Sequence, residues 1–120
     1  RPLWLDAAEH DRLVAAVSHL PALAAAALMR GAANEAQWTV SASGFRDAAR
    51  LAGTDPRMML DILLTNRQAV LDALHAYQAD LDGLGAALAQ GDEAALAEWL
   101  AAAQVVHAAY RRFKSADSAP

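Results

Sequence analysis

Residues Asp55–Gln90 read DPRMMLDILLTNRQAVLDALHAYQADLDGLGAALAQ. Thr54-Asp55-Pro56 marks a helix start: aspartate caps free N–H groups, and proline is tolerated at the first helical position, where its missing N–H is not needed. Leu63, Val70, Leu74, Tyr77, Leu81, Leu84 and Leu88 then recur at helical spacing as one apolar stripe. The pattern predicts one long helix from Pro56 to about Gln90, closed by Gly91-Asp92. Gly83 and Gly85 weaken its far end by roughly 1 kcal/mol each, and a break there is the alternative. A helix of about 35 residues spans about 50 Å. A compact single domain of this size has a radius of gyration of about 14 Å. Such a helix projects past its own domain unless another chain covers it, which predicts a homodimer with long helices packed across the interface.

The flanking sequence gives three more helices. The first runs from about Asp6, a capping residue, to Met29, with Gly31 as its stop and Leu13, Val17, Leu20, Ala24 and Ala27 on one face. Pro21 lies inside it and removes one i→i−4 hydrogen bond, so a kink is expected near Val17–Leu20. Residues 31–41 (GAANEAQWTVS) break the pattern and read as a connection with some helical character. A short helix then covers about Ala42 to Ala52, closed by Gly53. The last helix carries Leu96, Trp99, Leu100, Ala103, Val106, Tyr110 and Phe113 on its stripe, and a frayed tail is expected from Ser115 to Pro120.

Composition agrees with this reading. Alanine occupies 33 of 120 positions and leucine 17, against ten for isoleucine, valine and threonine together. Strands favour β-branched and aromatic residues, so the fold class is all-α, a helical bundle with one long central helix. With no cysteine, a disulfide framework and a cysteine-ligated zinc site are excluded. A net charge of −4 disfavours nucleic acid and anionic membrane as partners. The uncharged run Leu13–Met29 contains Ser18, His19 and Pro21 and follows acidic residues, so it reads as a buried helix of a cytoplasmic protein rather than a span or a secretory signal.

Two constellations stand out for chemistry. Ser18-His19-Leu20-Pro21 sets a polar pair against the expected kink, where a histidine could also simply satisfy freed backbone carbonyls. Gly44-Phe45-Arg46-Asp47-Ala48-Ala49-Arg50 places Arg46 and Arg50 at i and i+4, on one helical face, with Asp47 three residues before Arg50 and able to hold it. Paired guanidinium groups match a carboxylate ligand in a bidentate fork, and the same pattern also suits a surface ion-pair face. His75 and His107 stand alone on helices, and Tyr110-Arg111-Arg112-Phe113-Lys114 reads as a helix C-terminus complementing its dipole.

Three strings in order, HDRLVAAVSHLP at residues 10–21, GFRDAARLA at 44–52 and DPRMMLDILLTN at 55–66, resemble the C-terminal helical domain of the prephenate/arogenate dehydrogenase family. The resemblance covers residues from about 6 to 110. It implies an intertwined homodimer of the 6-phosphogluconate-dehydrogenase-like C-terminal class, with the domain occupying residues 1–114. It also implies an N-terminal Rossmann domain, outside this chain, that binds NAD or NADP and carries the catalytic histidine. In that family, prephenate or arogenate is oxidatively decarboxylated in tyrosine biosynthesis. This fragment then supplies the dimer interface and part of the substrate pocket, holds no cofactor or metal itself, and is inactive alone.

Carried over by position, Arg50 matches the family arginine that binds a substrate carboxylate. Arg46 matches a basic position one turn earlier, and Asp47 an acidic residue reaching the neighbouring subunit's site. His19 matches the first histidine of an SHLPH string whose second histidine is Ala22 here. Met59 stands where tryptophan is common, and Ser43 replaces a glycine. The competing reading is a free-standing helical dimer acting as a small-anion sensor or interaction module. A small helical chorismate mutase is disfavoured, because no lysine precedes Lys114.

Overall fold

The computed structural model describes residues 3–119, and among these the chain forms helices and turns with no strand. Two compact units divide near Ala76–Tyr77. In the first unit, α1 (Ala7–Val14) starts at Asp6, whose Oδ1 accepts the Glu9 N–H at 2.8 Å. A π turn (Ala15–His19) follows, then α2 (Leu20–Gly31). The irregularity expected at Pro21 is therefore a π turn. The Leu20 N–H reaches back five residues to the Ala15 carbonyl, and Pro21, with no N–H to offer, enters α2 in its first turn. By length and apolarity alone, the run Ala7–Gly31 meets the requirement for a membrane span. In the structure it buries Ala15, Ala22 and Ala25.

The connection after α2 is more ordered than expected. Asn34 caps α3 (Glu35–Val40), its Oδ1 accepting the Gln37 N–H at 2.9 Å. The helix expected over Ala42–Ala52 is shorter: α4 (Ser43–Ala48) ends at Ala49, and a 3₁₀ turn (Arg50–Gly53) takes over. The 3₁₀ turn lies against α2, and Ala22 and Ala25 on α2 and Ala49 at the head of the turn are buried; side chains this short let two backbones approach closely.

The single long helix is corrected too. It is two helices, α5 (Pro56–Thr65) and α6 (Arg67–Ala89), broken at Asn66 and not at Gly83 or Gly85. Asn66 has φ −115° and ψ 35°, outside the helical region, while Thr65 turns its hydroxyl back to the Asp61 carbonyl at 2.8 Å. The cap predicted at the start is present: Asp55 Oδ1 accepts the Arg57 N–H at 3.0 Å.

In the second unit, the end of α6 and α7 (Glu93–Asp117) are joined by a tight turn in which Gly91 adopts φ +61°. That left-handed conformation favours glycine. Asp92 caps α7 through the Ala95 N–H at 3.1 Å, and the Trp99 indole N–H donates to Asp80 Oδ1 at 3.2 Å. The helix continues to Asp117, past the point where fraying was expected at Ser115. Leu88, Leu100, Val106, Tyr110 and Phe113 are all more than half exposed.

Filling the tight contact should be destabilising. Ala25→Leu adds three carbons at a position only 3% exposed, so a loss of about 1–3 kcal/mol is expected. Urea denaturation followed by circular dichroism measures it.

Candidate functional site

The two arginines come together by an unexpected route. Arg46 lies on α4 and Arg50 opens the 3₁₀ turn, so they do not share one α-helical face. Both nevertheless line one open cleft of about 590 Å³, together with Met29, Trp38 and Phe45. Trp38 is held in place because its indole N–H donates to the Ala32 carbonyl at 2.7 Å. With that N–H engaged, what the ring has left to offer the cleft is apolar surface. The cleft thus combines two guanidinium groups with an aromatic and apolar wall.

Asp47 does not hold Arg50. Its Oδ1 lies 3.6 Å from Arg46 Nε, in a pair whose side chains are 73% and 79% exposed. Among the described residues no carboxylate lies within ion-pair distance of Arg50. A cation so placed keeps its donors free for a ligand. Neither Asp47 nor His19 lines this cleft.

His19 closes the π turn, half-buried. Its Nδ1 lies 3.3 Å from Asn66 Nδ2, and the same amide nitrogen donates to the Asp11 carbonyl at 3.0 Å. The histidine is thus tied to a side chain rather than to the backbone carbonyls freed near the proline.

A second groove, of about 310 Å³, runs between α2 and α5 and is almost wholly apolar. Ala22 and Met59, the two larger departures from the family strings, both line it. Among the described residues no three His, Asp or Glu side chains are grouped to hold a metal.

Sequence reading missed Trp38 and Asn66. Trp38 was hidden in a segment read as a connection, although Asn34 followed three residues later by Gln37 is a helix-start signal. Asn66 ended the third string with no assigned role, and nothing local announces a contact made across 55 residues.

Residues 6–102 match the family described as prephenate dehydrogenase, dimerization domain. Cyclohexadienyl dehydrogenase of Zymomonas mobilis is 37% identical over 94 residues, covering 73% of this chain and 32% of that protein. Among solved structures, Synechocystis arogenate dehydrogenase superposes with a TM-score of 0.81 at 30% identity, over 86% of this chain and 40% of that one. Prephenate dehydrogenase from A. aeolicus, in complex with hydroxyphenyl propionate and NAD+, gives 0.76 at 28% identity, over 84% and 37%. The chain thus spans about a third of the length of the curated relative.

The exposed Arg46–Asp47 pair should add little to the fold. Asp47→Ala is expected to change stability by less than about 1 kcal/mol, since solvent screens such pairs. A shift of the thermal midpoint within scatter would agree with that.

Proposed function

This chain belongs to the prephenate dehydrogenase family through its dimerization domain, and from that premise we propose that it is the substrate-binding and dimer-forming part of a cytoplasmic NAD- or NADP-dependent enzyme. The proposed substrate is prephenate or arogenate, and the cofactor belongs to a Rossmann domain elsewhere in the full protein. The observation that carries the reading is the cleft: Arg46 and Arg50 beside Met29, Trp38 and Phe45. A ring bearing a carboxylate suits such a wall, because guanidinium pairs with carboxylate in a fork while the apolar wall covers the ring. The A. aeolicus relative, which holds hydroxyphenyl propionate, supports this choice of ligand.

In this reading Arg50 binds the carboxylate directly. Arg46, with the Asp47 carboxylate beside it, adds positive potential at longer range. His19 and Asp47 lie outside the cleft; their part in the substrate site comes from their positions in the family strings, with Asp47 facing the site of the second subunit. The exposed apolar residues of the second unit, Leu88, Val106, Tyr110 and Phe113 among them, supply the homodimer contact.

Two experiments test the proposal. In the full protein, Arg50→Ala should lower kcat/KM for prephenate by roughly ten- to a few hundredfold, mostly through KM, because a charge-assisted hydrogen bond contributes about 1.5–3 kcal/mol. Arg50→Lys should recover part of the loss, and Arg46→Ala should lose less. Unfolding of Arg50→Ala with an unchanged KM in the folded fraction would give Arg50 a structural role instead. Separately, the full protein should sediment as a dimer at micromolar concentration, and Val106→Glu with Phe113→Glu should shift it towards monomer.

A further inference from the structure

The apolar face of α7 has a period of its own. Leu96, Trp99, Ala103, Val106, Tyr110 and Phe113 follow one another by alternating steps of three and four residues. That is the 3.5-residue repeat of a coiled-coil seam, the a and d positions of a heptad. Only the start of the seam is used within the chain. Leu96 and Trp99 are half-buried there, and the Trp99 indole N–H is held by Asp80 of α6 at 3.2 Å. From Leu100 to Asp117 every residue of α7 is exposed. An open groove of about 640 Å³ runs along this stretch, with Ala103, Val106 and Tyr110 in its wall.

The charges of α7 are divided by end. Asp92, Glu93 and Glu98 lie at its start, and no lysine or arginine follows until Arg111, Arg112 and Lys114 in its last two turns, where Asp117 is the one acid. A second α7 laid parallel would set basic end against basic end. Laid antiparallel, it sets acid against base at both ends and opposes the two helix dipoles. The register closes as well. Matching a positions to d positions across a twofold axis pairs Leu96 with the partner's Phe113, Trp99 with the partner's Tyr110 and Ala103 with the partner's Val106. All three pairs share one centre, between Gln104 and Val105. In the same register Glu93 and the partner's Lys114, both at e positions, flank the core, where opposite charges fix direction and partner.

We propose that α7 pairs antiparallel with α7 of a second copy of this chain, about a twofold axis between Gln104 and Val105. The small Ala103 and Val106 layers at the centre let the helices approach closely, and the aromatic layers cover the ends. This rests on the reading of the exposed second-unit residues as the homodimer contact, and adds the helix, its direction and its register.

The test is disulfide trapping in the full protein, with any cysteine elsewhere changed to serine; this chain has none. Leu96 and Phe113 lie 17 residues apart on one helix, about 25 Å, too far to bridge within a chain. Leu96→Cys with Phe113→Cys should give covalent dimers on mild oxidation, with the two positions joined in the mass spectrum of a digest, and neither single substitution should. Spin labels attached through Gln104→Cys and, separately, Ser115→Cys leave the seam intact. The Gln104 labels should lie almost level along the axis and the Ser115 labels about 30 Å apart, at 1.5 Å per residue, so the second distance is the longer. Bridging by Phe113→Cys alone, or equal distances at the two label sites, would show a parallel pair and overturn the proposal. A sedimenting dimer with neither the bridge nor the difference in distance would also overturn it, leaving the homodimer reading in place on another face. A monomer by sedimentation would sink both.

Discussion

The site depends on how closely α2 can approach the turn that carries Arg50. That turn is 3₁₀, not α, and it lies against α2 where Ala22, Ala25 and Ala49 are buried. A larger side chain at any of these positions would hold the backbones apart. The change from α4 to 3₁₀ beyond Ala49 leaves both guanidinium groups on one cleft. The alanine content that first reads as helix propensity is therefore also a packing device.

The same dependence explains which parts of the fold were legible. Caps and starts are local chemistry, so Asp6, Asp55-Pro56 and Gly91 carry their meaning in sequence and hold in the structure. The break between α5 and α6 does not. Local reasoning points to Gly83 and Gly85, but a glycine within a helix costs only about 1 kcal/mol, and α6 runs through both. Asn66 breaks the helix, and its amide bonds a carbonyl 55 residues away. Propensity ranks asparagine as only mildly unfavourable, so no window of neighbours contains that information.

For the site, residue types were legible and arrangement was not. The i, i+4 spacing sets Arg46 and Arg50 on one face of an α-helix, and the structure brings them together across a helix end instead. Asp47, expected to hold Arg50, sits with Arg46 at 3.6 Å. At 3.6 Å the contact is a charge pair and not a hydrogen bond, so the difference between the two arginines is that Arg46 has a carboxylate beside it and Arg50 has none among the described residues.

The core raises a further point about assembly. Its buried hydrophobic residues are four alanines and Val70, and no large side chain is fully buried among the described residues. A buried methyl or methylene contributes about 0.8 kcal/mol, whereas ordering one residue's backbone costs about 1–2 kcal/mol. Small side chains thus allow close approach but supply little of the driving force. The large apolar groups that could supply it, Leu88, Leu100, Val106, Tyr110 and Phe113, lie exposed along the second unit. Apolar surface on that scale marks an interaction site, and a dimerization domain is where such surface belongs. Alanine packing sets the geometry of the arginine cleft, and the covering of the exposed face by a second subunit would supply the stability that this geometry needs.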